Sequence, residues 1–118
     1  MGILIRNALI INEGESYAGS VLIEDDKIAS VYRYIPPLTV QENSKVIDAK
    51  GWWLLPGLID DQVHFREPGL THKGDIASES RAAIAGGVTS FMDMPNTKPQ
   101  TITNTALNEK FEFAGQRS

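Results

Sequence analysis

The feature that most constrains the fold is an order of elements, strand, loop and helix, that occurs twice in succession in the second half of the chain. Residues 59–65 and 88–94 are β-branched and aromatic runs of strand length. Helical patterns follow them at residues 76–85 and from about residue 104. Strands joined by helical crossovers pair in parallel, so the sequence predicts the start of a parallel βα array.

Both predicted helices have a residue suited to cap the N-terminus. The carboxylate of Asp75 can accept hydrogen bonds from first-turn N–H groups of the first helix. Thr103 or Asn104 can do the same for the second helix. We therefore expect each helix to begin at a defined residue.

The first 55 residues have the pattern of a series of strands. Four β-rich runs are separated by turns, and Asp25-Asp26 suits a tight hairpin. The runs are residues 3–11, 20–24, 27–34 and 46–49. We predict an α/β protein in which residues 1–55 form the N-terminal part of a small antiparallel β-sandwich. Residues 56–118 would hold the first two βα units of a (β/α)8 barrel, and because a complete barrel needs about 250 residues, we expect a truncated chain.

The boundary between these parts is expected around residues 52–56. The tryptophans Trp52 and Trp53 begin an apolar run that leads into Pro56 and Gly57. They could form a surface on which a ligand stacks, but burial between two packed parts is the interpretation that we favour.

Composition and charge exclude several classes of partner. The formal net charge is -4, the pI is about 5.1, and no run of Lys or Arg forms a basic patch, which argues against nucleic acid. The absence of cysteine excludes disulfides and thiolate metal sites, so a metal would need imidazole, carboxylate or other oxygen and nitrogen ligands. We find no signal peptide and no long apolar span, and expect a cytoplasmic, soluble protein that does not bind membranes.

Residues 60–69 place several chemically capable side chains in an otherwise apolar run. Side chains alternate between the faces of a strand, so four polar residues should share one face. They are Asp60, Gln62, His64 and Arg66. A lone histidine here would be read as an incidental surface residue. Four aligned polar residues that end at a Glu-Pro-Gly turn favour a chemical site instead.

The sequence PGLIDDQVHFREPG at residues 56–69, followed by MPNT at residues 94–97, resembles the N-terminal part of the dihydroorotases of the amidohydrolase superfamily. Residues 56–99 carry nearly all the specificity of this resemblance. It implies a hydrolase that interconverts dihydroorotate and N-carbamoyl-aspartate in pyrimidine biosynthesis. It also implies a metal-bearing barrel whose later ligands and proton-shuttling aspartate lie on strands absent from these residues, so we expect the 118-residue chain alone to be inactive.

The resemblance implies a zinc site with one departure from the family pattern. In the family, the first barrel strand ends in Asp-x-His-x-His, and both histidines bind zinc. Here His64 matches the second histidine, and Gln62 replaces the first. A neutral amide oxygen is a weaker, harder ligand than imidazole, so we expect either one zinc or two with Gln62 as a poor ligand. Asp60 could orient a ligand or bind the metal directly, and we favour the orienting role.

Two residues indicate a substrate that carries a carboxylate. A planar guanidinium at a barrel mouth suits bidentate binding of a carboxylate, and Arg66 follows the first barrel strand. In the family, the matching arginine holds the substrate's carboxylate, and Asn96 matches its partner asparagine. Taken singly, Arg66 could form a salt bridge and Asn96 could shape a turn. Related allantoinases and dihydropyrimidinases, whose substrates lack this carboxylate, generally do not keep the arginine and rank lower.

A second hypothesis is a catalytically silent, dihydroorotase-like scaffold that is a structural partner of another pyrimidine enzyme. Gln62 supports it, whereas the presence of His64, Arg66 and Asn96 speaks against it, because an inactive site has no need of a carboxylate clamp. The resemblance also admits a homo-oligomer and an association with aspartate transcarbamoylase.

Overall fold

The computed structural model describes residues 2–118, which divide into two compact units. The first unit ends at Pro56 and the second begins at Gly57. This division lies next to the boundary that we expected around residues 52–56.

The first unit is a five-stranded sheet with one short helix. Its elements are β1 (Gly2–Asn12), β2 (Glu15–Glu24), β3 (Lys27–Tyr32), α1 (Leu38–Glu42), β4 (Ser44–Asp48) and β5 (Trp53–Leu54). β1 is central, because it pairs with β2 on one side and with β4 and β5 on the other. Four buried residues form the hydrophobic core cluster of this unit: Ala8, Ile10, Val21 and Ala49.

The sheet of the first unit is mixed, so the prediction of an antiparallel arrangement is only partly right. It holds for the pairs β1–β2 and β2–β3. It is wrong for β4 and β5, which both run parallel to β1. Parallel neighbours require a crossover, and residues 33–43 supply it between β3 and β4. The five-residue helix α1 in this crossover is too short to show a periodic pattern in the sequence.

The two tryptophans are exposed, contrary to the burial that we favoured. Trp52 is 71% exposed and Trp53 is 70% exposed. The backbone fixes this segment, since the carbonyl of Trp52 accepts a hydrogen bond from Leu9 N–H at 2.9 Å and Trp53 pairs with Leu9 in the β1–β5 ladder. The segment is therefore held by strand pairing and not by burial of indole rings.

The second unit contains two strands and two helices in alternation. They are β6 (Leu58–Val63), α2 (Ile76–Ala85), β7 (Val88–Asp93) and α3 (Asn104–Arg117). β6 and β7 pair in parallel, which confirms the predicted relation between these strands. Among residues 2–118 no helix is long and apolar enough to cross a membrane.

β6 is shorter than the predicted strand and less regular. It ends at Val63, and its register with β7 shifts between Asp60 and Val63. His64 and Arg66 therefore lie in the loop beyond the strand, and Arg66 has a φ of +69°. The prediction that four polar side chains share one strand face is wrong, because regular alternation is interrupted at the register shift and stops at Val63.

Both helices of the second unit have the predicted type of N-cap. The Asp75 carboxylate accepts a hydrogen bond from Ser78 N–H at 2.7 Å, and Asp75 N–H donates to Ser78 Oγ at 3.2 Å, so the two residues form a reciprocal capping box. At α3, Thr103 is the cap, and its Oγ1 accepts from Ala106 N–H at 3.2 Å. Asp75 and Thr103 thus fix where the helices begin.

The Asp75 cap should make the start of α2 sensitive to acid. The hydrogen bond from Ser78 N–H holds the pKa of the Asp75 carboxyl below its ordinary value. A depressed pKa stabilises the fold at pH values above the unfolded pKa of about 3.9, and this stabilisation is lost as pH falls through the native pKa. In an NMR titration we expect the Ser78 amide resonance to move below about pH 4. Asp75→Asn keeps the acceptor without the charge and should abolish that movement; an unchanged titration in this variant would contradict the assignment.

Candidate functional site

The candidate residues lie at and beyond the carboxyl ends of β6 and β7. Residues 64–75 follow β6, and residues 94–103 follow β7. Because the two strands are parallel, both loops leave the same edge of the two-stranded sheet. The chemically capable side chains were predicted to lie at this edge.

The two loops are in direct backbone contact. Lys98 N–H donates to the carbonyl of Pro68 at 3.1 Å. Gly69 has a φ of +81°, and a Cβ at this position would lie 1.8 Å from the carbonyl oxygen of Lys98. Only glycine permits both this φ without strain and this close an approach, so the loop spacing depends on Gly69.

The structure brings His64 and Asn96 together. His64 Nδ1 lies 3.0 Å from Asn96 Oδ1, and both side chains are exposed. With Asn96 Oδ1 as the acceptor in this pair, the ring donates from Nδ1, and the tautomer with its proton on Nδ1 leaves Nε2 as the free ring nitrogen. Histidines that bind metals have this arrangement, in which the second ring nitrogen donates to an oxygen. His64 therefore fits the role of a metal ligand.

Asp60 and Gln62 are exposed on β6, and neither joins the contact between His64 and Asn96. The carboxylate of Asp60 accepts the backbone N–H of Gln62 at 3.0 Å, at the register shift of the strand. Within residues 2–118 no three His, Cys, Asp or Glu side chains are grouped so that they could hold a metal ion. The described residues therefore do not form a complete metal site by themselves.

Arg66 is half-buried and has no anionic partner among the ion pairs of the described residues. Its φ of +69° lies in the left-handed region, which costs a residue with a side chain about 1 kcal/mol or more. Such a conformation persists only where the neighbouring contacts impose it. The alternative role for Arg66, a structural salt bridge, is therefore not seen among the described residues.

Glu67, the next residue, is buried and fully engaged. Its Oε2 accepts Ile76 N–H at 3.0 Å, and its Oε1 accepts from the guanidinium of Arg117. Arg117 also lies 3.9 Å from the carboxylate of Asp75. Glu67 thus ties the loop that carries Arg66 to the start of α2 and the end of α3.

Reasoning from sequence missed these supporting residues. Glu67 and Arg117 are 50 positions apart, and no periodicity links them. A second supporting pair, Asp93 and Lys110, is buried at the end of β7 and within α3. A charged residue inside an apolar strand or on the apolar side of a helix is the only sequence signal of such a pair, and it does not identify the partner.

Comparison with known families gives one match to a family model. The model is described as dihydro-orotase-like and matches residues 51–114. The dihydroorotase of Lactococcus lactis subsp. lactis (strain IL1403) is 40% identical over 116 residues, which cover 97% of this chain and 26% of that protein. The dihydroorotase of Carboxydothermus hydrogenoformans is 46% identical over 109 residues, which cover 91% and 24%. The chain spans about a quarter of the length of these curated relatives.

Solved structures with a similar fold include hydantoinases. The L-hydantoinase (dihydropyrimidinase) from Arthrobacter aurescens matches with a TM-score of 0.87 and 30% identity, over 97% of this chain and 25% of that chain. A D-hydantoinase matches with a TM-score of 0.80 and 30% identity, over 100% of this chain and 25% of that chain. Sequence identity is thus higher with the dihydroorotases above.

The close approach of the two loops gives a prediction with a matched control. Gly69→Ala must move the backbone near Lys98, whereas Gly87→Ala, at a φ of +89° with no atom within 4 Å, incurs only the left-handed strain. We expect Gly69→Ala to lower the free energy of unfolding by at least about 1 kcal/mol more than Gly87→Ala does. Urea unfolding followed by far-UV circular dichroism measures both. Equal losses would contradict the loop packing.

Proposed function

We propose, because the chain belongs to the dihydro-orotase-like family, that it is the N-terminal part of a dihydroorotase, a metal-dependent hydrolase of cyclic amides. The reaction would interconvert dihydroorotate and N-carbamoyl-aspartate. The observation that carries this proposal is the contact between His64 and Asn96, with Arg66, two residues beyond His64, in no ion pair with another described residue. Since the chain spans about a quarter of its relatives, the activity would belong to the complete protein.

Substrate binding is proposed for Arg66 and Asn96. With its Oδ1 engaged by His64, the amide of Asn96 has its Nδ2 left as the donor group. Donors that suit an anion are thus Asn96 Nδ2 and the guanidinium of Arg66, which no described carboxylate neutralises. These donors match a substrate that carries a carboxylate, as dihydroorotate does.

Metal binding is proposed for His64 through Nε2, with Gln62 as a weak ligand and Asp60 as an orienting carboxylate. A bound zinc would supply Lewis acidity that activates water for attack on an amide carbonyl. A hydrogen bond from His64 Nδ1 to Asn96 Oδ1 would hold the direction of the ring and leave Nε2 for the metal. Asn96 would therefore serve both sides of the site, the imidazole through its oxygen and the substrate through its nitrogen.

The architecture proposed for the complete protein is a (β/α)8 barrel beside a small β-sandwich. The parallel β6–β7 pair with α2 and α3 would supply the first two βα units from residues 56–118. The sheet of residues 1–55 would contribute to the sandwich. Cytoplasmic location, a homo-oligomer and association with aspartate transcarbamoylase stay predictions.

Two other functions have specific support. A hydantoinase or dihydropyrimidinase is favoured by the structural match to the enzyme from Arthrobacter aurescens. A catalytically silent scaffold is favoured by Gln62, which stands in place of the first histidine of the Asp-x-His-x-His pattern that the resemblance implies. The presence or absence of a carboxylate on the substrate distinguishes a dihydroorotase from a hydantoinase. The metal content of the complete protein distinguishes a dihydroorotase from a silent scaffold.

The role of Arg66 can be tested on the complete protein with two substrates. Arg66→Met removes a charged donor pair, so we expect KM for dihydroorotate to rise about tenfold to a hundredfold. Hydrolysis of a hydantoin without a carboxylate should change little. Arg81→Met, at an exposed position of α2, is the control and should leave both KM values unchanged. If the complete protein hydrolyses the hydantoin efficiently but not dihydroorotate, and Arg66→Met leaves hydantoin hydrolysis intact, the protein would be a hydantoinase and not a dihydroorotase.

The metal site can be tested by zinc content. We expect one tightly bound zinc per complete chain, lost in His64→Ala, because Gln62 is too weak a ligand to hold a second. Gln62→His should raise the stoichiometry towards two. Inductively coupled plasma mass spectrometry after dialysis measures each value. Two tight zinc ions in the unchanged protein would contradict the one-metal site, and no zinc together with no turnover would favour the scaffold.

A further inference from the structure

The ion pair between Asp93 and Lys110 is buried next to the candidate site but is not among the groups proposed to contact metal or substrate. Asp93 is the last residue of β7, and Lys110 lies within α3. Lys110 Nζ is 2.8 Å from Asp93 Oδ2, and the two side chains are only 10% and 7% exposed. Apolar residues of similar volume often stabilise a fold as well as a buried ion pair does, so the pair is weak evidence for a role in stability.

Each member of the pair also holds one of the two loops. Asp93 Oδ1 accepts a hydrogen bond from Phe65 N–H at 3.0 Å. Lys110 Nζ donates to the carbonyl of Met94 at 3.2 Å. Phe65 and Met94 lie just beyond the ends of β6 and β7, so the pair joins the beginnings of both loops to α3.

Asp93 accepts a backbone hydrogen bond just beyond the end of the β6–β7 ladder. The hydrogen bond from Met94 N–H to the carbonyl of Val63, at 2.9 Å, is the last backbone link between the strand ends. The N–H of Phe65, two residues beyond Val63, donates instead to the carboxylate of Asp93. The peptide between His64 and Arg66 is thus fixed by a side chain and not by the sheet.

The surroundings make this contact strong. The ring of Phe65, which is 5% exposed, packs on the ring of Phe91 with centroids 4.5 Å apart. A cavity of about 270 Å³ beside the pair has mostly apolar walls, formed by Ile76, Phe91, Met92, Leu107, Phe111 and Ala114. In such surroundings a satisfied hydrogen bond is stronger, and an unsatisfied N–H is more costly, than in water.

Arg66 therefore lies between two fixed points. Asp93 holds the backbone of Phe65 before it, and the buried carboxylate of Glu67 is held by Ile76 N–H and Arg117 after it. These two anchors account for the left-handed φ of Arg66, which a free loop would relax.

We propose that Asp93, neutralised by Lys110, is a positioning residue that sets the directions of His64 and Arg66 by holding the Phe65 peptide between them. This proposal rests on the proposed function for its substrate readout. Its metal and backbone readouts do not require turnover.

The test compares two double variants of the complete protein that differ only in the acceptor for Phe65 N–H. Asp93→Asn with Lys110→Met removes both charges and keeps an oxygen acceptor. Asp93→Ala with Lys110→Met removes the charges and the acceptor together. Glu109→Gln, at an exposed position of α3, is the surface control. If the double variants do not fold, the same two Asp93 substitutions are made with Lys110→Gln, which also removes the buried charge, and the comparison of acceptors is unchanged.

The expected results separate positioning from mere stability. The alanine double variant should bind zinc about tenfold more weakly than the asparagine double variant, by titration with zinc alone. Its KM for dihydroorotate should rise by about tenfold, with kcat within about threefold of the asparagine variant. Hydrogen exchange at the Phe65 amide should be faster in the alanine variant only. If a variant only loses folded protein, and His64 and Arg66 keep their positions, its apparent kcat should fall and its KM should stay unchanged.

Equal zinc affinity and equal Phe65 exchange in the two double variants would overturn the proposal, as would a loss confined to kcat. If the unchanged protein does not hydrolyse dihydroorotate, the proposed function fails, and zinc affinity and Phe65 exchange still decide whether Asp93 positions His64.

Discussion

The parallel pairing of β6 with β7 is the constraint on which the candidate site depends. Parallel strands bring their carboxyl ends to one edge, so the loops after Val63 and Asp93 must begin side by side. The hydrogen bond from Lys98 N–H to Pro68 and the absent side chain of Gly69 then hold the loops together. His64 and Asn96, 32 positions apart in sequence, are in contact for this reason.

The supporting charges act at the points where regular structure ends. Backbone ladders satisfy N–H groups along a strand, but beyond the last ladder bond each N–H needs another acceptor. Asp93 serves Phe65, and Glu67 serves the first helical residue of α2, Ile76. Each carboxylate is in turn neutralised from α3, by Lys110 and Arg117 respectively. The loop that carries Arg66 is thus held by contacts from α3, and Arg66 has a left-handed φ while forming no ion pair with another described residue.

Much of the fold was open to prediction from the sequence because its signals are local. The caps at Asp75 and Thr103, the hairpin at Asp25 and the parallel βα order all follow from short patterns. The errors concern features set by distant contacts. Pairing of β4 and β5 with β1 depends on a crossover, and the end of β6 at Val63 depends on its register with β7. The contact between His64 and Asn96, and the partners of Glu67 and Asp93, depend on tertiary structure that no spacing reveals.

We propose that Arg66 and Asn96 together receive a substrate carboxylate beside a metal held by His64. The most direct measurement is a crystal structure of the complete protein with zinc and N-carbamoyl-aspartate. In that structure we expect one ligand carboxylate within hydrogen-bond distance of both the Arg66 guanidinium and Asn96 Nδ2. We also expect His64 Nε2 to bind zinc while its Nδ1 still faces Asn96 Oδ1. A ligand carboxylate held by other residues, or a zinc site that does not include His64, would contradict this proposal.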